Sequence, residues 1–176
     1  YMIPFVSFSC MHDEIKEELD QAYERVMASE WFIQGEECNR FEEEFANYCG
    51  AKYCVGCGNG LDALFLILKA YGIGEGDEVI VPSNTFVATA LAVSYSGAKP
   101  IFVEPDIDSY TINPECIEEK ITECTKAIIA VHLYGRIADM DRIRDIADRH
   151  KLKLIEDAAQ AHGATYTGKR AGSLGD

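Results

Sequence analysis

Residues 78–103 read EVIVPSNTFVATALAVSYSGAKPIFV, and this stretch decides the fold. Glu78-Val79-Ile80-Val81 is a short unbroken apolar run closed by Pro82, the pattern of a strand buried on both faces. Residues 86–95 follow with helical spacing. Gly97 then breaks the helix, and 99–103 forms a second apolar strand. A strand, a helix and another buried strand in 26 residues make a βαβ unit, which requires parallel strands.

The same alternation continues on either side. Upstream, 52–57 reads as a short strand, 58–60 as a glycine loop and 61–71 as a helix. Downstream come a helix over 114–121, a strand over 127–131, a helix over 138–150 and a strand over 153–155. A short strand and turn follow at 165–168. Two amphipathic helices, 13–29 and 38–49, precede the alternating part. The expected fold class is therefore α/β, a mostly parallel sheet with helices on both faces. The expected organisation is an N-terminal helical segment over 1–50 and an α/β domain over 51–176, with no internal repeat or linker.

Composition agrees with a packed domain. The 176 residues are 48% hydrophobic and 26% charged, which excludes disorder and a fibrous chain. Sixteen basic and 30 acidic side chains give a net charge of −14. That balance argues against nucleic acid and against an anionic membrane surface as partners. No apolar run approaches the ~20 residues of a membrane span, and the start lacks a secretory pattern. A cytoplasmic location is expected, with Met2 as the native start and Tyr1 an addition. The seven cysteines are expected to be reduced, with Cys54 and Cys57 structural rather than a redox pair or zinc half-site.

Ligands of parallel sheets sit beyond the carboxyl ends of the strands, so the segments at 58–62, 82–86, 104–108, 132–135 and 156–162 are where chemistry is sought. Gly58-Asn59-Gly60-Leu61-Asp62 would open a helix whose first amides point outward, an anion site suited to phosphate, with Asn59 as the cap. It could equally be a plain strand-to-helix turn. Gly58, Gly60 and Ala63 also match a dinucleotide fingerprint, but its acidic partner would be Asp77 or Glu78, at the start of a strand rather than its end. Glu156-Asp157-Ala158-Ala159-Gln160 offers a carboxylate at a strand end, able to hold a cationic heterocyclic nitrogen, and an amide able to donate to a phenolate. A capped loop is the alternative. Phe86 could stack on a flat ring at the mouth, or belong to the core. Together these groups describe one ligand, pyridoxal 5′-phosphate. His132 and His162 read as structural histidines. Glu156 should face away from Asp157, because neighbours in a strand point to opposite sides.

The chain resembles the DegT/DnrJ/EryC1/StrS family of sugar aminotransferases, on motifs along nearly its whole length. They include WFIQG at 31–35, residues 41–49, GNGLDAL at 58–64, GDEVIVPSNTFVAT at 76–89 and GAKPIFVEPD at 97–106. VHLYG at 131–135, ADMD at 138–141 and IEDAAQAHGA at 155–164 complete the set. The resemblance implies the fold-type-I, aspartate-aminotransferase-like large domain, here incomplete, its C-terminal part missing. It implies that Gly60 and Leu61 give amides to the cofactor phosphate and that Phe86 stacks on the ring. Asp157 would pair with the ring nitrogen and Gln160 would contact the phenolic oxygen. It further implies transfer of an amino group, with glutamate the expected donor, to a keto group of a nucleotide-linked deoxysugar, and a homodimer. The GNGLDAL and EDAAQAHGA variants look nearest to members acting on 3-keto-6-deoxysugars. The family's Schiff-base lysine follows the Gly-Asp at 175–176, beyond the given residues; Lys169 reads as a surface residue. Were that position histidine, the resemblance would imply a sugar dehydratase. A non-catalytic relative with the same cavity is a further alternative.

Overall fold

The computed structural model describes residues 3–176, so the expected start at Met2 lies outside the described residues. These residues fall into two units, one ending at Phe45 and the other running from Ala46 to Asp176. In the first, α1 (Ser9–Ser29) precedes most of α2 (Glu36–Cys49). Arg25 on α1 donates from Nε to Glu37 of α2 at 2.6 Å. The α1 helix starts four residues earlier than the periodicity suggests, since Ser9 to His12 carry no breaker.

The second unit is built on a four-stranded parallel sheet: β1 (Glu78–Pro82), β2 (Lys99–Val103), β3 (Thr125–Val131) and β4 (Lys153–Asp157), in the order β2-β1-β3-β4. Helices α3 (Gly60–Ala70), α4 (Val87–Ser96) and α5 (Met140–His150) connect and cover it. The two-residue period of the strands divides the core in two. Val79, Val81, Ala127, Ile129, Val131 and Ile155 pack with Leu64 and Leu68 of α3 and Ala92 and Val93 of α4. Ile80, Ile128, Ala130 and Leu154 pack on the other face with Ile143, Ile146 and Ala147 of α5. Both faces are therefore covered, as the continuous apolar strands require.

Three further elements differ from the sequence reading. Residues 52–57 are not a strand: Tyr53 and Val55 are exposed and the run pairs with neither edge of the sheet. An apolar run interrupted by Gly56 and lacking a ladder partner has nothing to hold it extended. Residues 114–121 form two 3-10 turns, Pro114–Cys116 and Glu118–Lys120, rather than an α-helix, because so short a segment gains little from helix propagation. Finally, β4 continues through Asp157, so Glu156 and Asp157 stand on the strand instead of after it. A small hairpin, β5 (Thr165–Tyr166) with β6 (Lys169–Arg170), follows β4, and Lys169 is exposed there.

Candidate functional site

The connection from β1 runs to β2 on one side, whereas β3 and β4 lie on the other. The chain thus reverses direction between β1 and β3, and the crevice beyond their carboxyl ends is where such sheets bind ligands. A cavity of about 370 Å³ opens there. Gly60, Leu61, Phe86, Asp157 and Gln160 all line it, together with Thr85 and Thr89. Five residues singled out from three separate stretches of sequence therefore share one hollow.

Each wall has a local cause. Asn59 caps α3: its Oδ1 accepts the Asp62 amide at 2.9 Å, while its Nδ2 donates to the Asp62 carboxylate at 2.9 Å. That leaves the amides of Gly60 and Leu61, the first two of the helix, without an acceptor among the described residues. They carry the positive end of the helix dipole to the cavity rim. A Cβ built on Gly60 would meet nothing within 4 Å, so the backbone is open to close approach. Phe86 occupies the N-cap of α4 in an extended conformation and is 71% exposed. It is a mouth residue, not a core one.

Asp157 ends β4, and strand alternation puts it on the α3/α4 side with Ile155. Its Oδ2 accepts a 2.8 Å bond from the Thr89 hydroxyl, and Oδ1 a longer 3.3 Å bond from the Ala159 amide. Among the described residues no basic side chain pairs with it. A half-buried carboxylate without a cationic partner, facing a cavity, is chemically suited to a ligand cation. Gln160 is oriented from the carboxyl end of the neighbouring strand β3. In the turn after β3, Tyr134 takes φ +57° and its amide donates to Gln160 Oε1 at 2.7 Å. With the oxygen engaged, the Gln160 NH2 is the end left to donate. Gly135, at φ +83°, lets this turn pass the Gln160 carbonyl; a Cβ there would stand 3.3 Å from it.

Glu156 points to the other face, as expected of a strand neighbour. It accepts from His132 Nε2 at 3.0 Å and from the amides of Gly172, Leu174 and Gly175 at 2.9, 2.6 and 2.7 Å. Burial pushes its carboxyl up, but the His132 bond and the three amides together hold it below the usual carboxylate range. His132 is fully buried and accepts the Ala138 amide at Nδ1, which assigns its proton to Nε2. Glu78, an acid weighed for the dinucleotide reading, starts β1 and binds Thr122 at 2.6 Å, away from the carboxyl end of the sheet.

The sequence reading did not single out Thr89, and it gave Glu156 and His132 as structural side chains without joining them to each other or to the amides after the hairpin. Thr85 and Thr89 flank the mouth aromatic Phe86 at a spacing of four, and that spacing was the available signal.

A family model described as the DegT/DnrJ/EryC1/StrS aminotransferase family matches residues 13–176. The chain belongs to this family. It is 59% identical over 175 residues to a dTDP-3-amino-3,6-dideoxy-alpha-D-galactopyranose transaminase of Aneurinibacillus thermoaerophilus, covering 99% of this chain and 48% of that protein. Its fold matches the X-ray structure of S. venezuelae DesV in complex with a ketimine intermediate, with a TM-score of 0.94 and 50% identity over 97% of this chain and 46% of that one. It also matches NtdA from Bacillus subtilis with bound cofactor PMP, with a TM-score of 0.88 and 42% identity over 96% of this chain and 39% of that one. The chain thus spans just under half the length of these family members. The aminotransferase large-domain architecture expected from the motifs is the one observed.

Proposed function

We propose that the protein is a pyridoxal phosphate-dependent aminotransferase acting on a keto group of a nucleotide-linked deoxysugar, with glutamate as donor. The observation that carries this reading is the meeting of Gly60, Leu61, Phe86, Asp157 and Gln160 around one cavity. Family membership and the transaminase named above support it. In this reading 1–50 is a helical segment and 51–176 belongs to the cofactor-binding α/β domain.

Bound pyridoxal phosphate would supply an electron sink for carbanion chemistry at the amino-bearing carbon. The chain's own residues would do the rest. The Gly60 and Leu61 amides hold the phosphate at the α3 N-terminus. Phe86, at the cavity mouth, would stack on the ring. Asp157 accepts from the protonated ring nitrogen, its charge favouring the proton's staying there. The Gln160 NH2 donates to the phenolic oxygen, its direction set by the Tyr134 amide. The lysine that moves protons between cofactor and substrate would follow residue 176. The nearest match in the GNGLDAL and EDAAQAHGA variants favours a 3-keto-6-deoxysugar. An apolar stripe on α1 (Met11, Ile15, Leu19, Tyr23 and Met27), each residue at least a third exposed, supports a homodimer.

The test is spectroscopic. Full-length protein loaded with pyridoxal phosphate should absorb in the visible and bleach when glutamate is added. Absence of any cofactor-dependent absorption would refute the assignment.

A further inference from the structure

We propose that Thr89 is the positioning residue of this site: its hydroxyl fixes the Asp157 carboxylate, so that a proton shared with a heterocyclic nitrogen stays on the heterocycle. Thr89 is the third residue of α4 and is fully buried. Threonine in a helix commonly turns its hydroxyl back to a carbonyl three or four residues earlier. Here the Thr89 hydroxyl instead reaches across 68 positions of sequence to Asp157 Oδ2 at 2.8 Å. It is the only side-chain donor to Asp157 among the described residues, and the Ala159 amide, at 3.3 Å, is the weaker restraint.

The proton count fixes the direction of the chain. A threonine hydroxyl carries one proton, and a carboxylate can only accept. Thr89 must therefore donate to Asp157, and the 2.9 Å contact between Thr85 Oγ1 and Thr89 Oγ1 must be a donation from Thr85. Two hydroxyls in series polarise each other toward the carboxylate. The two bonds fix the plane of the carboxylate, with the rest of its acceptor capacity turned to the cavity. The bond to the carboxylate joins two regular elements, Thr89 on α4 and Asp157 on β4, and Thr85 supports it from the β1–α4 connection.

The inference rests on the reading of Asp157 as the ring-nitrogen partner, and the experiment separates the two. In the full-length enzyme, Thr89→Val keeps the shape and removes the hydroxyl, while Thr89→Ser keeps the hydroxyl. Loss of one bond to a charged group should lower kcat/KM by about ten- to a hundredfold in Thr89→Val, with Thr89→Ser within about threefold of the parent. The pH dependence of the absorption of bound pyridoxal phosphate should move in Thr89→Val and not in Thr89→Ser. Placed on Asp157→Asn, Thr89→Val should add less than about threefold, because its effect runs through the carboxylate. Thermal unfolding without cofactor reports any separate structural contribution. An unmoved spectral titration, or a fully additive double variant, with Asp157→Asn itself impaired, would overturn the role of Thr89 alone. Near-native turnover in Asp157→Asn would overturn the underlying reading and this inference with it.

Discussion

Replacing Glu156 by glutamine tests how the segment after the hairpin is held. The two oxygens divide four donors: Oε2 takes the His132 Nε2 proton and the Gly172 amide, and Oε1 takes the Leu174 and Gly175 amides. A glutamine has one acceptor oxygen. Whichever way its amide turns, two donors face an NH2 group and are left unmet. The side chain is only 6% exposed, so water cannot easily substitute. Bonds to a charged acceptor contribute about 1.5–3 kcal/mol each, and breaking a buried charged cluster costs about 3–5 kcal/mol. An expected loss of at least about 3 kcal/mol corresponds to roughly a hundredfold faster native-state hydrogen exchange at Gly172, Leu174 and Gly175. The measurement is exchange in the full-length protein, parent against Glu156→Gln, at fixed pH. Acceleration below about tenfold would show that the carboxylate does not hold the segment. The same bonds set a pH dependence. A carboxyl depressed in the folded state stabilises fully above its unfolded value, and the contribution is lost as pH falls through the folded one. Protection should therefore be level through neutral pH and decline only below about pH 4.

Two further outcomes separate ligand binding from stability. Phe86→Ala should leave the cofactor-free protein within about 0.5 kcal/mol of the parent, because the ring is exposed. It should weaken equilibrium binding of pyridoxal phosphate about two- to tenfold through lost stacking, and unchanged affinity would remove the ring from the site. Asn59→Ala should destabilise the protein to denaturant by about 1 kcal/mol, through loss of the α3 cap; no change in the midpoint would contradict the capping role.

The parallel sheet was legible because its strands are unbroken apolar runs separated by helical periods. Val79 to Val81 and Ala127 to Val131 must be covered on both sides, and α3, α4 and α5 cover them. That Asp157, Gln160 and Phe86 share one cavity was legible because all three stand at or just past the carboxyl ends of buried strands, where such sheets open. What escaped depends on distance in sequence. The bond between Thr89 and Asp157 spans 68 residues, and the cluster around Glu156 gathers main-chain amides, which carry no residue-type signal. The expected strand at 52–57 failed because apolar composition alone does not supply a ladder partner. The expected helix at 114–121 failed because its few residues settle into tight turns as readily as into an α-helix.

Asp157→Asn is the most direct measurement. It keeps the size of the side chain and removes the charge that would hold a protonated ring nitrogen. In the full-length protein loaded with pyridoxal phosphate, removing the half-buried carboxylate from the proposed pairing with the ring nitrogen predicts turnover lowered by roughly a hundred- to a thousandfold, with the fold intact by circular dichroism. Turnover near that of the parent would contradict the account.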